Sequence, residues 1–204
     1  MISKNQKHIN DASKGDKGLS AKAVLAKARA NYKKATGVDV GTLVEGAGQQ
    51  AELLKALEAS VTEVMNDAQE LINKKGSGFK GFLPAIFARL VTERFRAKKG
   101  KVADIKLTAP KAYVRNRSNR PDKWEQKIIE TVFKKPGHKK GQFVAEVTQK
   151  KGKKAYRLIL PEYYKQSCLA CHGGPKGSRD ITGGKKEGGT LGELGGAISV
   201  AIYE

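Results

Sequence analysis

Five consecutive residues, Cys168-Leu169-Ala170-Cys171-His172, concentrate the reactive chemistry of this 204-residue chain. They spell C-x-x-C-H, the attachment motif of a covalent c-type haem. Two thiols add across the two vinyl groups of a porphyrin, and two intervening residues let one turn of chain reach both. The histidine that follows is then placed to give an imidazole nitrogen to iron. Cys168 and Cys171 are the only cysteines, so no thiol is left for a disulfide or an iron–sulfur centre. Two competing chemistries fit less well. A thioredoxin-like C-x-x-C wants a βαβ context, and a glycine-rich stretch follows here. A zinc site built on two Cys and one His needs a fourth ligand, and His8 and His138 are the only other histidines. Gly173, Gly174 and Pro175 let the chain turn away without a bulky side chain over the porphyrin edge.

The elements that must hold this motif are legible in the periodicity. Residues 1–18 read as a disordered polar tail. Residues 19–34 have an Ala-rich helical composition that Gly37 and Gly41 end. A longer helix is predicted over 47–74, with Leu54, Leu57, Val61, Val64, Met65, Ala68, Leu71 and Ile72 on one stripe. Pro84 opens another over 83–97. The second half changes period. Strands are predicted over 102–107, 143–148, 155–160 and 197–203, with Lys150-Lys151-Gly152-Lys153 at a hairpin tip and a helix over 122–134. The chain therefore reads as α+β: an N-terminal helical region, 19–100, and a haem-binding region, 101–204, built on an antiparallel sheet. Residues 173–196 hold ten glycines; they read either as a flexible loop or as a wrap around the haem edge. They are not a phosphate loop, since Gly184-Lys185 is followed by Lys186 rather than Ser or Thr.

Charge narrows the partners. The chain carries 40 basic and 20 acidic residues, a net charge of +20. Lysines recur at Lys98-Lys99 with Lys101, Lys134-Lys135, Lys139-Lys140, Lys150-Lys151 with Lys153-Lys154, and Lys185-Lys186. A nucleic-acid reader more often uses arginine forks and aromatic platforms, whereas hydrated lysine heads suit loose, salt-sensitive encounters. The expected partner is an acidic redox protein or a signalling partner, with no specific nucleic acid; a plain solvated surface is the simpler alternative. No run approaches the roughly 18 apolar residues of a membrane helix, and no secretory apolar region follows Met1. Because c-type haem is attached outside the cytoplasm, a periplasmic or otherwise extracytoplasmic location is expected, with the export signal removed from this chain.

Four segments together resemble a PAS-like c-type haem sensor domain family that long carried an unknown-function label. They are FLPAIFAR at 82–89, VRNRSNRPDKWE at 114–125, CLACHGGP at 168–175 and LGGAIS at 194–199. The family is known from a cyanobacterial haem protein and from extracytoplasmic parts of bacterial sensor kinases. The resemblance covers roughly 45–204. It implies N-terminal helices on a PAS-like sheet, one covalent haem c, and a redox- or gas-sensing role. In the cyanobacterial relative a cysteine on an N-terminal helix is the second axial ligand. The similar stretch here is VTEVM at 61–65, so Met65 stands where that cysteine would be. Kinase-linked members continue into a membrane helix after the last strand; this chain stops at Glu204.

His172 is the expected proximal ligand. For the sixth position Met65 is the leading candidate, since a thioether is a soft ligand that raises the potential; packing on the apolar stripe is the competing role. His138, His8 and an open five-coordinate face that binds NO or CO remain alternatives. Arg115 and Arg117 resemble a family loop near the haem and could pair with a propionate, or simply lie on a basic turn. Tyr163 and Tyr164 precede the motif and could pack on the porphyrin or donate to a propionate. Two functions follow: a mono-haem electron carrier, or a haem-based redox or gas sensor. No Ser/His/Asp set or recognisable carboxylate pair points to an enzyme.

Overall fold

The computed structural model describes residues 2–204, and Met1 lies outside them. The chain divides into two compact units, Met1–Gly100 and Lys101–Glu204, each taken here by itself.

The first unit is helical. A 3-10 turn, Ile2–Asn5, leads into α1 (Gln6–Ile9), α2 (Ala21–Thr36), α3 (Val40–Glu45), α4 (Gly48–Asp67), α5 (Gln69–Asn73) and α6 (Pro84–Lys99). The Ser20 side chain caps α2 by accepting from the Ala23 amide, and Gly37 closes it in the left-handed conformation. The apolar stripe expected over 47–74 spans α4 and α5. The register breaks only at Ala68, whose N–H still donates to the Val64 carbonyl. Ile9, Val64, Met65, Ile72, Phe82 and Val91 form one buried cluster.

Residues 2–18 are not a disordered tail. Ile2 and Ile9, seven residues apart, are 3% and 0% exposed in that cluster. The polar residues between and after them satisfy backbone groups. The His8 ring donates Nε2–H to the Lys17 carbonyl (2.8 Å), and the Lys17 N–H donates to Asn73 Oδ1 (3.0 Å). Lys17 Nζ donates to the Asp11 carbonyl (2.8 Å). Two isoleucines are too few to lift the mean hydropathy of a charged segment, which is why composition misreads it.

The second unit is a four-stranded antiparallel sheet in the order β1-β4-β3-β2. Its strands are β1 (Ala103–Thr108), β2 (Val144–Lys150), β3 (Lys153–Tyr163) and β4 (Leu194–Tyr203). Helix α7 (Lys123–Ile128) runs into a wider π turn, Ile129–Phe133. Ile128, Ile129 and Phe133 pack on Ile159, Leu194 and Ala197 to cover one sheet face. Asp122 and Glu125 make a reciprocal capping box at the start of α7. The hairpin tip falls at Lys150-Lys151-Gly152-Lys153, with Lys150 paired to Lys153. Lys150 itself does not belong to the basic surface. It is 5% exposed, with Nζ 3.2 Å from Asp104 and facing Glu125. There Lys106 (2.9 Å) and Arg157 (3.4 Å) also converge. The Arg157 guanidinium lies 4.2 Å over the Trp124 ring, so Trp124 packs rather than reacts. The overall class is α+β. No helix among the described residues is long and apolar enough to cross a membrane.

Candidate functional site

The motif sits where the sheet hands the chain over to the glycine-rich loop. At the end of β3 the Tyr164 N–H donates to the Glu193 carbonyl and the Gly192 N–H to the Tyr164 carbonyl, both at 2.8 Å. These bonds zip the exit of β3 to the approach of β4. A 3-10 turn, Gln166–Cys168, then runs directly into the one-turn helix α8 (Leu169–His172). Helical winding puts residues three and four apart on one side, so Cys168, Cys171 and His172 share a face. Both thiols are free and half-buried. Burial pushes the Cys171 thiol pKa up.

His172 is held from two directions. Its Nδ1 lies 2.8 Å from Glu187 Oε2. A carboxylate only accepts, so Nδ1 carries the proton, and in the neutral ring Nε2 keeps its lone pair. The Tyr164 ring stacks on the imidazole, with centroids 5.3 Å apart and planes inclined by 20°. Tyr164 is buried and occupies a slot between two glycines. A Cβ at Gly189 or at Gly195 would lie 2.3 Å from opposite edges of the ring. Burial pushes the Tyr164 hydroxyl pKa far up.

Glu187 is itself anchored. Arg115 donates to both of its oxygens, through Nε to Oε1 and Nη2 to Oε2 (3.0 Å). The same guanidinium donates to Asp180 Oδ2 (2.5 Å) and to the Cys171 carbonyl (2.6 Å). Burial alone would raise the Glu187 pKa, but the bonds from Arg115 and His172 outweigh it and lower it. Asp180 behaves likewise: burial opposes ionisation, yet Thr182 and Arg115 hold the carboxyl well below the usual range. The glycine-rich stretch is therefore not a flexible loop. Between 177 and 186 it folds back on itself, with Gly177 N–H to Lys186 O and Lys186 N–H to Ser178 O, each 2.8 Å. Asp180 staples the tip through Thr182 and the Gly184 amide.

A model of the Tll0287-like family matches residues 20–202. The chain belongs to that family. No curated protein and no solved structure matches it.

The residues singled out in this Tll0287-like chain from its sequence separate into two groups. Cys168, Cys171, His172, Tyr164 and Arg115 come together. Arg115, however, does not offer an open fork: four of its N–H donors are taken by Glu187, Asp180 and Cys171. It supports the motif helix and the loop, and its pKa is driven up by the two carboxylates despite burial. Arg117 lies exposed on a 3-10 turn, Arg117–Asn119, and shares none of these contacts. Tyr163 points away from Tyr164, as alternation at a strand end requires. It lines a cavity of about 570 Å³ with Phe133, His138 and Lys140, and Lys140 Nζ sits 5.2 Å from its ring. His138 stacks on Phe133, with centroids 5.1 Å apart. Met65 is wholly buried in the aliphatic cluster of the first unit. Sequence reasoning missed Glu187, Asp180, and the Tyr113–Glu193 bond beside Tyr164. The one available signal was that Asp180, Glu187 and Glu193 are the only acids within 173–196, a stretch otherwise basic and glycine-rich.

Proposed function

We propose that this chain is a mono-haem c-type cytochrome that exchanges single electrons with an acidic protein partner. The observation that carries this reading is the gathering of two free thiols and a tethered imidazole on one helical turn. The donor set fits the group: Cys168 and Cys171 would hold the porphyrin through thioethers, and His172 would offer Nε2 to iron. When bound, haem supplies a one-electron ferric/ferrous couple. The protein's own residues orient the imidazole, bury one of its faces under Tyr164, and fix its proton on Nδ1. The soft thioether of Met65 and its place in the VTEVM stretch make it the candidate second ligand from the sequence; within the first unit its side chain packs wholly buried among aliphatic residues. The sheet order, with α7 on one face, supports a PAS-like reading. Covalent haem attachment supports an extracytoplasmic location, and no catalytic role beyond electron exchange is proposed.

Exposed Lys165, Lys176, Arg179 and Lys185 flank the motif and the folded-back loop. They support docking to an acidic surface. Coulomb steering is screened beyond about 8–10 Å at ordinary ionic strength, so electron exchange with an acidic redox protein should slow steeply as salt rises. Intact mass of protein matured in cytochrome c-assembling cells should exceed the polypeptide by one haem and survive denaturation. A bare polypeptide mass overturns the reading; haem with salt-independent exchange removes the acidic partner.

Family membership favours a second reading, a haem-based redox or gas sensor. Rapid CO or NO binding to the untreated ferrous protein would select the sensor. A six-coordinate spectrum indifferent to both gases would select the carrier.

A further inference from the structure

We infer that Glu187 tunes the electron-donating strength of His172, with Arg115 holding the carboxylate in place. The inference rests on the haem reading above and concerns what sets the potential there. It stands on three contacts. His172 Nδ1 lies 2.8 Å from Glu187 Oε2. The Glu187 side chain is 7% exposed, so its charge is little screened by water. Arg115 fixes the carboxylate and ties the same guanidinium to the Cys171 carbonyl, one residue before the imidazole, at 2.6 Å.

A carboxylate accepting the Nδ1 proton draws that proton toward itself and leaves the ring more basic at Nε2. A more basic ligand favours the higher oxidation state of the metal it holds. A neutral acceptor, such as a backbone carbonyl, does this more weakly than a full negative charge. Tyr164 stacked on the ring keeps Nδ1 aimed at Glu187 by limiting rotation of the imidazole. Arg115 has an opposing effect. Its positive charge withdraws part of the carboxylate's influence, so the pair sets an intermediate basicity rather than an extreme one. Glu187 is thus a positioning and tuning residue, acting through His172.

The test is the midpoint potential of the holoprotein. Glu187→Gln keeps the shape and removes the charge; its single amide oxygen can still accept from His172 Nδ1 and Arg115 Nη2, while the contact from Arg115 Nε to the other oxygen is lost. It should shift the ferric-to-ferrous stability ratio toward ferrous by about tenfold, a rise of about 59 mV for a one-electron couple. Asp180→Asn is the comparison: it removes a carboxylate from the same loop and the same arginine, but not the one in contact with His172. Acting only indirectly through Arg115, it should shift the potential by clearly less than Glu187→Gln does. An unchanged potential in Glu187→Gln overturns the inference. Equal shifts in both variants overturn it too, because loop distortion alone would then account for them. Intact mass is read on every variant. Loss of covalent haem from the parent overturns the haem reading itself, whereas haem retained with an unmoved potential overturns only the role of Glu187.

Discussion

Gly195→Ala tests how tightly Tyr164 is held against His172. An alanine Cβ at Gly195 would lie 2.3 Å from Tyr164 Cε1, 2.5 Å from Cδ1 and 2.7 Å from Cζ, where ordinary contacts begin near 3.4 Å. The ring cannot slide away toward its other edge, because the Gly189 backbone closes that side at a matching separation. Overpacking of this kind costs about 1–3 kcal/mol. Relieving a strand glycine offsets roughly 0.5–1 kcal/mol of that. The expected net is a destabilisation of up to about 2.5 kcal/mol, read as a lower urea midpoint with an unchanged m-value. In a Tyr164→Val background no atom remains beyond the γ position. The same Gly195→Ala change should then be neutral or stabilising there. The double-mutant coupling should be at least about 1 kcal/mol. Stabilisation by Gly195→Ala in the parent, or an equal cost in both backgrounds, would refute the slot and with it the fixed orientation of the imidazole.

Met65→Ala is expected to cost about 2–5 kcal/mol from the emptied core. On the proposed ligation it also changes the ferric visible spectrum and admits CO; an unchanged spectrum leaves packing as its whole role. Acid should weaken the second unit, as followed by far-UV circular dichroism. The folded pKa values of Asp180 and Asp122 are depressed, so their contribution is complete above the unfolded value near 3.9 and is lost as pH falls through the folded ones. Asp180→Asn should flatten that acid limb while lowering stability at neutral pH. Lys150→Met should destabilise by about 3 kcal/mol in a thermal melt, because it removes a cation from between Asp104 and Glu125, which stay buried; a neutral result would show that Lys106 and Arg157 suffice.

What was legible in the sequence was local. The hairpin tip could be read because Lys151 and Gly152 adopt positive φ, a demand that glycine advertises. The stripe through Val64, Met65 and Ile72 could be read because helical spacing repeats over several turns. The short α3 and the ordered start of the chain were not legible. Neither has a run long enough to show a period, and the ordered start depends on long-range partners such as Asn73 for Lys17. The candidate site divided in the same way. Cys168, Cys171 and His172 are contiguous, so spacing reveals them. Glu187 is fifteen residues beyond His172 and reaches it only because the loop folds back on itself. A single acid among glycines and lysines carries no spacing signal for that.

The buried lysines have a practical consequence for chemical footprinting. Lys17, Lys80 and Lys150 are 3%, 4% and 5% exposed. Lys80 Nζ donates to the carbonyls of Lys74 and Ser77, as Lys17 Nζ does to that of Asp11. Burial lowers the pKa of Lys80 and Lys150, so a larger share of each amine is in its nucleophilic, uncharged form, yet a reagent cannot reach it in the closed fold. Acylation of the many exposed amines should be fast, while these three should lag until the chain opens around them. Lys17 and Lys80 lie in the first unit and Lys150 in the second. Their separate labelling rates would therefore time the opening of each half independently, with no probe engineered into the protein.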